Sequence, residues 1–106
     1  MPDPAPLDLI YRRDAQQDLD DLFDHIAADR PIAAERFLLE IKRACEGLRW
    51  FPFIGVQIDP LDDRVRVLTI RRRAAIQFAV LDGKIHILSV SYRGRDLRRV
   101  LTERRP

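Results

Sequence analysis

The chain has 106 residues, of which 46% are hydrophobic and 34% are charged, and its formal net charge is +2. This length fills one modest core, so we expect a single domain over residues 1–106 and no separate cofactor-binding domain. The single cysteine excludes an internal disulfide and a multi-cysteine metal site, and it fits a reducing cytoplasm.

The first residues carry no targeting signal. Residues 1–6 contain neither a basic stretch nor an apolar run, which argues against a secretory signal. No segment approaches the roughly 20 apolar residues that span a bilayer. We therefore expect a cytoplasmic protein without a membrane partner.

The charges are divided unevenly along the chain. Residues 1–63 contain seven basic and fourteen acidic side chains, whereas residues 64–106 contain twelve basic and three acidic ones. Most of the basic residues are arginine, whose planar donor fork suits carboxylate and phosphate. A positive surface of this kind favours nucleic acid, phosphate or an acidic protein partner. The alternative is that the two halves neutralise each other across a compact fold.

The first half of the chain predicts a strand followed by a helix. Apolar and polar residues alternate over 7–11, which indicates a short strand. Asp14 is expected to cap the helix that follows, with Gln17 as its capping-box partner. Apolar residues then recur at spacings of three and four as far as Ala27, and Asp18 with the neighbouring aspartates is placed mainly on the solvated face.

A break at Asp29-Arg30-Pro31 separates the first helix from a second one, because proline is tolerated in the first turn of a helix but not in its interior. A connection this short predicts an antiparallel helical hairpin. The aromatic and apolar cluster over residues 50–55 ends the second helix, and we expect it to close the bottom of the core.

The remaining chain predicts strands joined by tight turns. Asp82-Gly83 is a strong hairpin signal because a primed turn needs positive φ, and Arg71-Arg72-Arg73 lie where the preceding hairpin should turn. The order β-α-α-β-β-β predicts an α+β fold, with a helical hairpin packed on a mainly antiparallel four-stranded sheet. The three later strands are predicted at 65–70, 75–81 and 85–92, after a loop over 57–63.

Metal and cofactor chemistry find little support in the sequence. Two or three oxygen ligands on one helix do not make a metal site unless other elements contribute, and the scattered glycines match no phosphate-binding loop. We predict no metal and no cofactor. The residues considered as metal ligands, and assigned to a surface helix face, are Asp18, Asp21, Asp24 and His25.

Nucleophilic catalysis is also weakly supported, because Ser89 and Ser91 lie near His86 without a nucleophile elbow. The arginines, by contrast, suit metal-independent RNA cleavage, since guanidinium groups stabilise a phosphorane-like transition state. Such an enzyme also needs a proton acceptor and a proton donor, for which Tyr92 and His86 are the candidates. The alternative is that the arginines solvate strand ends or pair with aspartates. The arginines considered are Arg66, Arg71, Arg72, Arg73, Arg93, Arg95, Arg98 and Arg99.

Six short segments, each weak alone, follow one another in a fairly specific order and spacing. They cover residues 15–22, 31–37, 48–55, 65–68, 82–85 and 91–96, the last reading Ser91-Tyr92-Arg93-Gly94-Arg95-Asp96. Together they resemble the ParE branch of the RelE/ParE superfamily, the toxins of bacterial type II toxin-antitoxin systems. The resemblance spans nearly the whole chain.

The resemblance implies the β-α-α-β-β-β fold and a small cognate ParD-like antitoxin, with which the chain would form a hetero-oligomer. ParE-like toxins inhibit DNA gyrase and so block replication and growth, whereas RelE-like toxins cleave messenger RNA. The paired helices with their Pro-x-Ala-Ala junction resemble ParE. The run over residues 95–101 also lacks the tyrosine usual in RelE-type nucleases.

Tyr92 departs from the ParE pattern, which commonly has histidine at this position. Because tyrosine can transfer protons, an endoribonuclease is retained as an alternative, with Tyr92, Arg93, Arg95 and Arg66 as its catalytic residues. A non-toxic binding or structural relative is the third possibility.

The gyrase interpretation needs no catalytic residue, only contact surfaces. An apolar and acidic antitoxin segment would lie in the groove between the helical hairpin and the sheet, where its acidic residues meet the basic half. The expected target-binding residues are Arg72, Arg73, Tyr92, Arg93 and Arg95, and the expected antitoxin-binding residues are Phe37, Trp50, Phe51 and Phe53.

Overall fold

A computed structural model describes residues 5–59 and 61–92 of the chain. Within these ranges two helices pack on one face of a five-stranded sheet. The predicted α+β class and the helical hairpin are therefore confirmed. The elements are β1 (Asp8–Tyr11), α1 (Arg13–Ala27), α2 (Pro31–Leu48), β2 (Val56–Asp59), β3 (Asp62–Ile70), β4 (Ala74–Leu81) and β5 (Lys84–Tyr92).

The strands follow the spatial order β1-β5-β4-β3-β2, with β1 parallel to β5 and the other pairs antiparallel. The prediction of a loop over 57–63 is wrong, and the sheet has five strands rather than four. Val56 pairs with Val67 and Asp59 with Asp62, so this segment forms an edge strand and the start of β3. Four residues are too few for a clear alternation, and the flanking aspartates and proline are typical of loops.

Helix α1 begins without a side-chain cap, so the prediction that Asp14 caps it is wrong. The residue before the helix, Arg12, is extended, and its N–H donates to the Ile87 carbonyl at 3.0 Å. The Gln16 side chain donates to the Tyr11 carbonyl at 2.9 Å. The chain thus passes directly from β1 into α1, and sheet and side-chain contacts replace the expected cap.

The main core lies between the helices and the inner face of the sheet. Alternate residues of β4 and β5 point toward the helices, because side chains alternate between the two faces of a strand. Leu88 faces the other side of the sheet, with Val65 and Ala79 in a second, smaller cluster, and a register shift between Gln77 and Phe78 returns Val90 to the main core. The fully or almost fully buried side chains of the main core include Ile41, Cys45, Leu48, Ile76, Phe78, Ile85 and Ile87.

The pairing of Ala74 with Tyr92 brings the β3–β4 turn and the end of β5 to the same end of the sheet. The β4–β5 turn at Asp82-Gly83 lies at the opposite end of β4. Neither of the two described helices combines the length and the apolar character needed to cross a membrane.

Candidate interaction surfaces

The β3–β4 turn presents three consecutive exposed arginines. Arg71 Nε lies 2.8 Å from Glu40 Oε1 on α2, although the Arg71 side chain remains 70% exposed. The Arg73 guanidinium lies 4.7 Å from the centroid of the Phe37 ring, close enough for a cation–π contact. We call the following group the basic end: Arg71, Arg72, Arg73, Tyr92 and His25.

The backbone of this turn is unusual for its sequence. Arg71 and Arg72 have φ values of 51° and 57°, in the left-handed region, and a backbone hydrogen bond of 2.9 Å closes the turn. Asp82 and Gly83 adopt similar values of 54° and 70° in the β4–β5 turn. Positive φ costs a residue with a side chain about 1 kcal/mol. The Asp-Gly pair suits a primed turn, whereas the Arg-Arg pair places two strained residues there.

Tyr92 contacts His25 rather than His86, the histidine predicted to share proton transfer with it. The two rings meet edge to face, with centroids 5.5 Å apart and an angle of 65° between their planes. His86 instead accepts a hydrogen bond at Nδ1 from Arg12 Nε at 3.1 Å. It lies six residues before Tyr92 on β5, roughly 20 Å along an extended strand. No sequence pattern predicts the contact of His25 with Tyr92, although His25 lies in the last turn of α1.

Asp18 is buried, with only 3% of its surface exposed, so its predicted place on the solvated helix face is wrong. Its Oδ2 accepts the backbone N–H of Val90 at 2.9 Å and thereby ties α1 to β5. Asp18 follows Ala15 by three residues and precedes Leu22 by four, which puts it in the buried stripe. This spacing could have predicted from the sequence that Asp18 is buried. The carboxylate anchors β5 two residues before Tyr92.

An apolar surface lies at the exit of α2. The prediction that this cluster closes the core is wrong, because Trp50, Phe51 and Phe53 are 56%, 69% and 71% exposed. An exposed apolar surface of this kind commonly marks a protein interaction site. We call the group the apolar flank: Trp50, Phe51, Phe53, Ile54 and Val56.

Gly55 and Arg66 hold the apolar flank against β3. Gly55 has φ 94°, and a Cβ at this position would lie 2.6 Å from the Val67 carbonyl oxygen. Arg66 Nη1 donates to the Gly55 carbonyl at 3.3 Å, and its guanidinium lies 5.9 Å from the Phe53 ring centroid. Arg66 therefore lies beside the apolar flank, away from Tyr92.

The remaining predicted contact residues are placed as follows. Phe37 is 5% exposed and lies in the core beneath Arg73, separate from the aromatic rings of the apolar flank. Its role in binding an antitoxin stays a prediction. Arg93 and Arg95 lie outside the described residues, as do Arg98 and Arg99.

Cys45 is a packed thiol. Burial raises its pKa to about 11, and the pKa of the neighbouring Tyr11 is also raised, first by burial and then by Cys45. A thiol with such a pKa is a poor nucleophile at neutral pH. Within residues 5–59 and 61–92, no three His, Cys, Asp or Glu side chains are grouped to hold a metal ion.

Comparisons with known proteins agree with this geometry. The family model of the ParE toxin of the type II toxin-antitoxin system parDE matches residues 9–97. A solved structure of the chromosomal ParDE toxin-antitoxin system from P. aeruginosa is similar to this chain, with a TM-score of 0.70 and 26% sequence identity over 81% of this chain and 95% of that one. None of the curated proteins matches. Because the family match spans most of its length, the chain belongs to the ParE toxin family of type II toxin-antitoxin systems.

Proposed function

We propose that this ParE-family toxin inhibits DNA gyrase and is neutralised by a cognate ParD-like antitoxin. The separation of the nuclease candidates supports this choice over RNA cleavage. Tyr92 lies at the basic end, Arg66 is held at the apolar flank, and His86 contacts Arg12 elsewhere on the sheet. General acid–base catalysis needs its groups within hydrogen-bond reach of one substrate. A toxin that acts by contact needs only an accessible surface.

The basic end is the proposed gyrase-contacting surface. Arg72 and Arg73 are exposed at the turn, and Tyr92 is partly exposed beside them in the sheet. Arg93 and Arg95 follow Tyr92 in the sequence, and their gyrase contacts stay a prediction from the sequence alone. Arginine and tyrosine are both enriched among the residues that dominate protein interfaces.

The apolar flank is the proposed antitoxin site. Its aromatic rings are exposed and ready to enter a partner's apolar surface, and Arg66 beside Phe53 favours an acidic residue there. The structural similarity to a ParDE system supports a ParD-like partner and a hetero-oligomer. Attraction between an acidic antitoxin and the basic half of the toxin would speed their encounter.

A supercoiling assay with purified gyrase and relaxed plasmid tests the proposal. We expect the toxin to block supercoiling and to leave RNA intact, and the product of the adjoining antitoxin reading frame to restore supercoiling. The variant Arg72→Ala/Arg73→Ala should lose most of the inhibition. Arg64→Ala/Lys84→Ala removes as much charge away from the basic end and should retain it. Normal supercoiling with the toxin in excess would contradict the proposal.

RNA cleavage is a second candidate function because His25 and Tyr92 are in contact at the basic end. An imidazole and a phenol beside arginines have the chemistry of a proton donor and acceptor for attack by a 2′-hydroxyl. In a translation extract, cleavage of messenger RNA that is lost in both His25→Ala and Tyr92→Phe would support it. His86→Ala is the control, since His86 lies away from this contact. Intact RNA would exclude it.

Expression in cells separates both activities from a non-toxic relative. Growth arrest without the antitoxin, relieved by its co-expression, is the expected result. Unaffected growth at a confirmed protein level would favour a binding or structural relative.

A further inference from the structure

The β3–β4 turn carries residues that its backbone conformation does not favour. Its two left-handed residues are both arginines, although the β4–β5 turn has a similar backbone conformation with Asp82-Gly83. We infer that this turn is a contact site for the phosphate backbone of duplex DNA, bound directly by the toxin and without regard to sequence. The inference extends beyond the proposed function because it does not depend on gyrase.

The charge arrangement of the turn fits a polyanion. Arg71, Arg72 and Arg73 are consecutive and exposed, so three guanidinium groups emerge from one short segment. Duplex DNA carries one negative charge per roughly 1.7 Å of its axis, and its phosphate oxygens accept the paired donors of a guanidinium. Glu40 holds Arg71 by an ion pair of 2.8 Å, which a phosphate would have to replace.

The three turn residues offer guanidinium groups but no apolar side chain. Protein interfaces centre on apolar or aromatic anchors that become buried on binding. The Phe37 ring lies beneath the Arg73 guanidinium and is only 5% exposed, so it is already covered. The exposed aromatic anchors lie instead on the apolar flank. The turn therefore presents positive charge without an exposed aromatic anchor. Contact with the phosphate backbone of DNA needs only that charge.

The aromatic rings also distinguish duplex from single-stranded DNA. Proteins that bind single strands stack bases on open aromatic faces. Among the described residues of the basic end, Tyr92 is partly buried and meets His25 edge to face. Phosphates remain as the contact that this end offers.

The strained backbone supports the same inference. An Asn-Gly or Asp-Gly pair would relieve the strain at Arg71 and Arg72, but it would remove both guanidinium groups from the tip. Strain that a simple change would remove commonly accompanies a functional requirement. The turn can therefore be tested by a variant expected to gain stability while losing binding.

The experiment measures fluorescence anisotropy of a labelled 20-base-pair duplex of arbitrary sequence with the full chain, between 50 and 200 mM salt. Arg71→Asn/Arg72→Gly should weaken binding about tenfold and lower the slope of log affinity against log salt by about 2. The same variant should raise Tm by about 5 °C. The matched control Arg64→Gln/Lys84→Gln removes two charges elsewhere and should weaken binding less than about threefold.

A second variant tests the turn in the opposite direction. Glu40→Gln removes the carboxylate that holds Arg71 and the negative charge beside it. We expect it to bind the duplex about two- to threefold more tightly, since Arg71 becomes available to phosphate. Unchanged or weaker binding by a folded Glu40→Gln protein would count against the inference.

Three results would overturn the inference. They are equal weakening by the turn variant and its control, tighter binding to single-stranded than to duplex DNA, and a turn variant that loses antitoxin binding while retaining DNA binding. Gyrase inhibition without DNA binding would contradict the DNA-binding inference but not the proposed function. DNA binding without gyrase inhibition would contradict the proposed function but not the DNA-binding inference.

Discussion

The basic end and the apolar flank are both exposed, yet they are built by opposite means. At the basic end, arginines occupy a turn whose backbone favours glycine or asparagine. At the apolar flank, Gly55 takes the positive φ and the close approach to β3, so the aromatic residues carry no such strain. The flank is therefore presented by a backbone that suits its residues, whereas the basic end keeps its arginines at a cost in stability.

Antitoxin binding should respond strongly to substitutions in the apolar flank. Trp50→Ala/Phe53→Ala should weaken the antitoxin complex about 1,000-fold, or roughly 4 kcal/mol, because exposed rings of this kind act as binding anchors. The Tm should change by less than about 2 °C, since these rings contribute little to the core. Calorimetry measures the affinity and thermal unfolding measures Tm.

Leu61→Ala is the control for this prediction, because Leu61 is a 95% exposed apolar residue outside the flank. Its affinity for the antitoxin should match that of the wild type. A double variant that binds normally would move the antitoxin site away from the flank and would end the division of roles between the two surfaces.

Gly55→Ala should lower the free energy of unfolding by about 3 kcal/mol, because the added Cβ meets the Val67 carbonyl oxygen and the positive φ is strained. Chemical denaturation measures the change. Gly47→Ala is the matched control, since no atom lies within 4 Å of a Cβ there. This helical position should gain up to about 1 kcal/mol. Equal stability of both variants would show that the flank needs no glycine.

Asp18→Ala should lower the free energy of unfolding by about 2 kcal/mol, because the buried N–H of Val90 loses its acceptor. Asp20→Ala changes an exposed aspartate of the same helix and should stay within about 0.5 kcal/mol of the wild type. The Val90 amide should also exchange its hydrogen faster. If both variants are equally stable, the Asp18 carboxylate does not stabilise the position of β5 next to the basic end.

The smallest effect concerns the core that supports both surfaces. Burial raises the pKa of Cys45 from 9.0 to about 11, so the folded state keeps its proton at pH values where the unfolded state loses it. Stability is therefore fully retained below pH 9 and falls as the pH rises toward 11, by about 1 to 2 kcal/mol. Denaturation at several pH values measures this fall.

Cys45→Ala should lose much of this pH dependence, while the contribution of Tyr11, whose pKa is raised from 10.0, should remain above about pH 10. An unchanged alkaline profile in the variant would show that the thiol does not contribute. The basic end and the apolar flank should lose their binding together when the shared core unfolds.

Sequence patterns predicted the elements that repeat over many residues and missed features that depend on one contact. The helical hairpin and the strands around Asp82-Gly83 were confirmed, because periodicity and turn chemistry are local. The edge strand β2 was missed, since its pairing with β3 is visible only in three dimensions. The uncapped start of α1 was missed for the same reason.

The residues of the candidate surfaces could be predicted from the sequence, but their geometry could not. The arginine run at the turn was expected, whereas the left-handed backbone of Arg71 and Arg72 was not, because arginine rarely adopts it. The aromatic cluster was predicted both to close the core and to bind the antitoxin, and its high exposure contradicts only the first of these predictions. The contact between His25 and Tyr92 depends on where α1 crosses the sheet, which no local pattern indicates.

The parallel pairing of β1 with β5 has a consequence for biosynthesis. The first strand of the sheet finds its partner only in the last described strand, so the ribosome must release β5 before the sheet can be completed. The end of β5 also supplies Tyr92 to the basic end. A nascent chain therefore cannot assemble that surface early, which delays its activity until synthesis has passed β5.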